Sequence, residues 1–283
     1  MEPKESKMKE ETFEVLDHGY VRLVENWGSD ERIIEAARMS TGKGFLGWGP
    51  KFTGIPKFDP KGERRELTRE EAEDYAAFSL DHQRGFEAFH DVKKEPGDEK
   101  LLGFLYNNKH STPFEMAGLI IEVQAPIFVF REWHRHRTQS YNELSARYTP
   151  LPDLNYVPSI ERLMMNSNGT NKQAGTIAGA DVLTLEEAQA YQIALRLQYK
   201  NDQDFYEKVL QSGVPKELAR IHLPVGRYSR MRASANLRNW LQFLTLRMDS
   251  KAQWEIRQYA NIVGSFIKEL HPKTWDLFVG EAA

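Results

Sequence analysis

Apolar and polar positions alternate over residues 12–16 and again over 20–24, on either side of Asp17-His18-Gly19. Strand side chains point to opposite faces in turn, so this period of two around a turn predicts a β-hairpin, with His18 a turn residue that carries no chemistry. Ser29 can cap a short helix through Ile33, Ile34 and Ala37 that ends near Ser40. Residues 118–130, GLIIEVQAPIFVF, are among the most apolar of the chain, and their first part, 118–124, reads as a strand. Pro126, with φ fixed and no N–H, suits the first turn of a following helix, which would deliver Arg131 and Arg135.

Two capping-box patterns mark further helix starts. Thr68-x-x-Glu71 predicts a helix running toward His90. Thr184-x-x-Glu187 predicts a long one with Tyr191, Leu195, Phe205 and Val209 on its apolar side and Gly213 past its end. A helix is predicted over about 98–107, and Pro215 opens a short helix carrying Arg220. Over 236–246, Leu237, Trp240, Leu241 and Leu244 form one buried stripe, Arg238 and Gln242 share another side, and Arg247 lies at the end. Ser250-x-x-Gln253 predicts the cap of a last long helix, with Ile256, Tyr259, Ala260, Val263, Ile267 and Leu270 inward and Pro272 beyond it.

Three stretches break this regularity. Residues 41–62 mix six glycines with Pro50, Pro56 and Pro60 and with Phe45, Trp48, Phe52 and Phe58. They read as an irregular loop: a surface insertion packing its own aromatics, or a flap over an active site. Residues 159–182 are polar and read as an exposed connection. Arg227, Arg230 and Arg232, among small and apolar residues, read as a solvated face or an oligomer contact.

Composition narrows the function. At 40% hydrophobic and 28% charged, the 283 residues suit a globular protein with a sizeable core, as one large domain or two. No run approaches membrane-span length and the first fifteen residues hold no apolar targeting core, so a soluble cytoplasmic protein is expected. A net charge of −3 disfavours a nucleic-acid-binding domain. Cysteine is absent, which excludes disulfides, thiolate metal sites and a thiol nucleophile.

The apolar run feeds into residues 131–148, REWHRHRTQSYNELSARY. Arg131, Arg135, Arg137 and Arg147 crowd this stretch, and like charges at helical i, i+4 spacing cost a few tenths of a kcal/mol. Guanidinium forks suit phosphate and carboxylate, so one reading is a preformed anion pocket. The other is a solvated polar loop with structural ion pairs. His134-x-His136 would share a face on a strand but diverge on a helix, and no nearby carboxylate or thiol cluster completes a metal site. No metal is expected.

Arg135-His136-Arg137, then seven residues, then Ser145 closely resembles the signature of the flavin-dependent thymidylate synthases. The resemblance extends to His110-Ser-Thr-Pro-Phe-Glu115, to residues 35–40 and 212–224, and to ANLRNWLQFLTLRMDSKAQWEIRQYA over 235–260. It implies a single α/β (α+β) domain over 1–283, with an antiparallel or mixed sheet and long helices, assembled as a homotetramer with shared active sites. It also implies reductive methylation of dUMP to dTMP, with FAD, NADPH and 5,10-methylenetetrahydrofolate and release of tetrahydrofolate. Uracil would then be activated without the thiolate this chain lacks. RNA or catalytically silent nucleotide binding is the competing class.

By the same resemblance, dUMP lies against Glu132, Trp133, His134 and Arg135, against Glu143, Leu144, Ser145, Ala146 and Arg147, and against Arg220 and Arg247. Arg247 is the implied catalytic residue, favouring ionisation of the uracil at N3. FAD is expected to meet Arg135, His136, Arg137 and Glu143 in the signature, and Asn236, Leu237, Arg238 and Gln242 downstream. Thr112, with Ser40 and His110 in further matching blocks, completes that set. Ser145 is expected to donate to the nucleotide and not to act as a nucleophile, because no base is adjacent. The chain departs from the family pattern at Glu132 (commonly Gln), Ala146 (Gly), Gln242 (Asn) and Lys251 (His). A carboxylate at 132 would repel phosphate, so Glu132 is expected to orient an arginine. Residues 41–62 have no counterpart in compact members, and a flap there would contact the folate.

Overall fold

The computed structural model describes residues 11–57, 62–80, 89–165 and 183–282. They fall into two compact units, Met1–Ser29 with Phe114–Trp275, and Asp30–Pro113 with Asp276–Ala283. Strands and helices are numbered below in chain order.

The larger unit is built on an antiparallel five-stranded sheet. Its strands are β1 (Thr12–Val15), β2 (Gly19–Trp27), β6 (Gly118–Pro126), β7 (Ser140–Glu143) and β8 (Tyr228–Asn236), in the spatial order β1-β2-β6-β8-β7. The alternating hairpin is thus present as read. β6 pairs with β8 along its whole length, from Gly118 opposite Asn236 to Pro126 opposite Tyr228. Only glycine fits at 118, since a Cβ would run into the Trp27 indole and the Ala235 carbonyl. Val21, Leu23, Leu119, Ile121, Val123, Met231, Ala233 and Ala235 are buried. On the opposite face Glu122 accepts from the Tyr20 hydroxyl at 2.9 Å and pairs with Arg22 and Arg232 at 3.2 and 3.4 Å.

Helices cover the apolar side. α4 (Ile127–Trp133), α8 (Leu237–Arg247) and α9 (Trp254–Leu270) bring Phe130, Trp133, Trp240, Phe243, Tyr259 and Phe266 into one core, each buried. Burying a large apolar side chain contributes about 1.5–3 kcal/mol. Leu237, Trp240, Leu241 and Leu244 form the expected buried stripe. Pro126 is the N-cap of α4, which stops at Trp133, so Arg135 follows the helix in a tight turn instead of riding on it. Gln253, not Ser250, is the N-cap of α9, and Pro272 opens one more helix, α10 (Pro272–Ala282).

The capping box at Thr184 and Glu187 opens α6 (Leu185–Gln211), and Gly213 follows its end with φ +83°. The apolar side is not where spacing put it. Ala188 and Tyr206 are buried, while Tyr191, Ile193, Leu197 and Phe205 are exposed. Arg227 is also a correction. It is completely buried, with Nη1 donating to Pro152 O at 3.0 Å and Asp153 Oδ1 at 2.8 Å and Nη2 to Gln203 Oε1 at 2.9 Å. Arg227 precedes β8, so strand alternation does not set its direction, whereas Arg230 and Arg232 on the strand are exposed as expected. Ser159 caps a short α5 (Ile160–Leu163) inside the expected connection; residues 166–182 lie outside the described set.

The smaller unit holds α1 (Asp30–Arg38), α2 (Arg69–Leu80), α3 (Glu99–Asn107) and an antiparallel sheet in the order β4-β3-β5, from β3 (Lys51–Pro56), β4 (Arg65–Glu66) and β5 (Phe89–Glu95). Thr68 and Glu71 form the expected capping box, with reciprocal bonds of 2.7 and 3.3 Å. The helix does not reach His90, which lies on β5. The 41–62 stretch is not irregular throughout. It contains β3, where Gly54 marks close packing, since a Cβ would sit 3.2 Å from Leu67 and Phe89. Buried Asp98 orders the preceding loop, accepting from Leu46 N at 2.7 Å and Gly47 N at 3.3 Å and pairing with Arg38. Phe45 packs edge-on against Trp48 at 4.8 Å; Phe58 and Pro60 are outside the described residues.

Candidate functional site

The site grows from the end of α4. Trp133 is fully buried, stacks on Phe243 of α8 at 4.7 Å and donates its indole N–H to Gln139 Oε1 at 3.0 Å. That fixes the chain where the helix stops. The Tyr141 hydroxyl, 2.8 Å from His136 O and 3.1 Å from Trp133 O, ties the next turn back, and burial pushes its phenol pKa up. His136 packs edge-on against Phe243 at 4.9 Å and is itself buried. Phe243 therefore braces both sides of the turn.

One helical turn after Phe243, on the same side of α8, comes Arg247. All three of its nitrogens are engaged. Nε donates to His136 Nε2 at 2.9 Å, Nη1 to Glu132 Oε2 at 2.9 Å, and Nη2 to the Glu132 carbonyl at 2.8 Å. The last bond satisfies a carbonyl that the end of α4 leaves open. Burial first, and the Arg247 cation second, lower the His136 pKa from 6.5 to about 4, with Glu132 acting in the opposite direction. At neutral pH the imidazole is therefore uncharged. Its Nε2 is the acceptor, so the ring proton sits on Nδ1.

Beyond this knot the cations are open. Arg131, Arg135 and Arg137 are exposed, and among the described residues no carboxylate pairs with any of them. After β7, Ser145 Oγ accepts from Arg147 N at 3.3 Å, Arg147 Nε lies 3.3 Å from Glu217 Oε2, and Arg220 Nε donates to Glu217 O at 3.4 Å. Glu217, on α7 (Lys216–Ala219), thus links Arg147 to Arg220, a connection with no signal in the spacing of these residues. Exposed guanidiniums without carboxylate partners, in a chain of net charge −3, fit an anionic group such as a nucleotide phosphate or a dinucleotide diphosphate.

The thymidylate synthase complementing protein family matches residues 22–273. Two relatives named flavin-dependent thymidylate synthase cover most of the chain. That of Thermosipho melanesiensis is 33% identical over 94% of this chain and 93% of its own. That of Thermus thermophilus is 35% identical over 94% and 78%. The chain belongs to the flavin-dependent thymidylate synthases. A crystal structure of the UMP/dUMP methylase PolB from Streptomyces cacaoi, bound with 5-Br UMP, has the same fold. Its TM-score is 0.66, with 26% identity and coverage of 95% of this chain and 96% of that one. The expected α/β fold with antiparallel sheets and long helices, the methyltransferase class and dependence on FAD follow for this synthase.

The remaining expected contacts are distributed as follows. Trp133 and Leu237 are fully buried, side chain and backbone alike. Ala146 is buried too, while Glu143 and Leu144 are exposed at the end of β7. His134 packs edge-on against Tyr141 at 4.9 Å. Asn236 caps α8, its side chain accepting from Asn239 N at 3.0 Å. Arg238 is half-engaged, donating to Glu115 Oε1 at 2.5 Å, and Gln242 is exposed. In the smaller unit Ser40 donates to Ala37 O at 3.2 Å, His110 packs against Phe104 at 5.4 Å, and Thr112 is exposed. Among the described residues no group of three or more His, Asp or Glu is placed to hold a metal, and no helix is long and apolar enough to cross a membrane. A cavity of about 440 Å³ lies between the β1–β2 turn and the start of α9, lined by Leu16, Asp17, Tyr156 and Trp254, and none of the expected site residues borders it.

Proposed function

We propose that this protein converts dUMP to dTMP, with 5,10-methylenetetrahydrofolate as carbon donor and NADPH-reduced FAD as hydride source, releasing tetrahydrofolate. The observation that carries this reading is Arg247, held on all three nitrogens by Glu132 and a neutral His136 inside the signature stretch. A guanidinium so held stays cationic and can stabilise negative charge developing on the uracil at N3. Reduced FAD, when bound, would supply the hydride that lets the folate leave as tetrahydrofolate, while ring activation falls to Arg247 because the chain has no cysteine for thiolate addition. Arg135 and Arg147, the latter bonded through its backbone N–H to Ser145, hold the nucleotide phosphate through charge-assisted hydrogen bonds worth roughly 1.5–3 kcal/mol each. Arg137, Arg238 and the capped start of α8 belong to the FAD side, and the family pattern assigns Ser40, His110 and Thr112 to FAD as well.

The chain works as one catalytic domain in a cytoplasmic homotetramer with shared sites. Support for subunit contacts comes from α6, where Ile193, Leu197 and Phe205 are 70%, 60% and 53% exposed. Single exposed apolar residues are ordinary, but a file of them along one helix is an interface feature. The test is direct. Purified protein should carry flavin, its NADPH oxidation should depend on dUMP, and dTMP should form only with methylenetetrahydrofolate present. Flavin-free protein that binds RNA with a steep salt dependence would overturn the reading.

A further inference from the structure

Glu132, expected from its sequence position to orient an arginine, makes two contacts to Arg247 where one would form an ion pair. Its carboxylate takes Nη1 and its main-chain carbonyl takes Nη2, while His136 takes Nε. The carbonyl cannot wander, because Trp133 beside it is fully buried and stacked on Phe243. The Arg247 side chain is 14% exposed and that of Glu132 44%. A surface ion pair has many arrangements; this one has acceptors on three sides of a planar cation. Of the five guanidinium N–H groups, three are used and two stay available to a ligand.

We propose that Glu132 is a positioning residue for the methylation, fixing the plane of the Arg247 guanidinium before the nucleotide arrives. This rests on the reaction assigned above. A planar cation donates well only within its plane, so its orientation decides how its two remaining N–H groups meet the ring. The carboxylate also places a negative charge beside a site for a dianionic nucleotide. Placement of the acceptor should therefore help turnover, while the charge should weaken nucleotide binding.

Two conservative variants separate these effects. Glu132→Gln keeps an acceptor oxygen at the same reach and removes the charge; Glu132→Asp keeps the charge and withdraws the acceptor by one carbon. With flavin affinity and melting temperature checked against wild type, Glu132→Gln should keep at least about a third of kcat, with KM for dUMP lowered two- to tenfold at low ionic strength. Glu132→Asp should lose about tenfold in kcat with KM little changed. The opposite ranking, Asp active and Gln inactive, would assign the role to charge and overturn positioning, as would two variants with wild-type kcat. A wild-type enzyme without dUMP-dependent turnover would instead strike the assigned reaction, and the variants would not be needed to see it.

Discussion

His136 should make this protein lose stability between pH 6.5 and 4, and the amount can be worked from its surroundings. The imidazole is buried against Phe243 and faces the Arg247 cation, which lowers its pKa to about 4. In the unfolded chain it titrates near 6.5. Above pH 6.5 both states hold it neutral, so its contribution is fully present. As pH falls through 6.5 the unfolded chain takes up a proton that the folded one refuses. Stability is lost until the folded pKa is passed, and no more is lost below it. A difference of about 2.5 units corresponds to about 3 kcal/mol in total, of which about 2.5 kcal/mol is gone by pH 4.5. Carboxylates titrate in the same range, so the quantity to measure is a difference between proteins. His136→Gln retains an acceptor for Arg247 Nε and does not titrate. Chemical denaturation at pH 7 and pH 4.5, at one protomer concentration and one flavin concentration, should show the variant losing about 2.5 kcal/mol less than wild type. Equal losses within about 0.5 kcal/mol would mean His136 is not held neutral and would remove the basis for treating Nε2 as an acceptor.

Arg247→Ala should leave flavin bound but lower dTMP formation by about 100-fold or more in a single-turnover assay, since an electrostatic stabiliser of the reacting ring would be gone. Ser145→Ala should retain measurable turnover with weaker dUMP binding, because Ser145 Oγ accepts from Arg147 N and has no base among its described partners; complete loss of turnover with dUMP affinity intact would make it a nucleophile. Arg227→Ala should destabilise by about 3–5 kcal/mol in urea melts, as it empties a fully buried site, whereas Arg227→Met should cost only about 1–2 kcal/mol because Asp153 is 56% exposed and stays solvated.

Periodicity made the β1–β2 hairpin and the buried face of α8 legible in the sequence, because each has one face in a core and repeats at the spacing of its element, and β6 was legible as a continuous apolar run. The capping boxes at Thr68 and Thr184 were equally readable, being local chemistry. Where the reading failed, the deciding contact was remote. Gly54 and Pro56 look like loop residues until Leu67 and Phe89 are seen pressing on the strand. The apolar side of α6 was misjudged because spacing reports which residues share a face and not whether this chain covers it. At the site, the stretch 131–148 announced its cations, and the resemblance pointed to Arg247. The bond from Arg247 to Glu132, 115 positions away, and the role of Glu217 between Arg147 and Arg220 exist only once the chain is folded.

The arginines show why residue type alone does not define the site. Arg227 is dissolved in the protein: Pro152, Asp153 and Gln203 take three of its five N–H groups, and full burial leaves the other two out of a ligand's reach. Arg247 spends the same three of five N–H groups, yet its side chain keeps 14% exposure, so its two remaining donors are not sealed off. Arg131, Arg135 and Arg137 stay in solvent, three like charges within seven residues with no paired carboxylate among the described residues. Repulsion between exposed cations is weak and salt-screened in water and would be far larger if they were buried. Exposure keeps the empty arrangement tolerable, and the remaining favourable change is the arrival of anions. On the proposed reading, a dianionic nucleotide and a diphosphate-bearing flavin would provide that charge. The same electrostatics predicts that ligand-free protein gains more stability from inorganic pyrophosphate than from chloride at equal ionic strength; equal melting temperatures in the two salts would contradict an anion site.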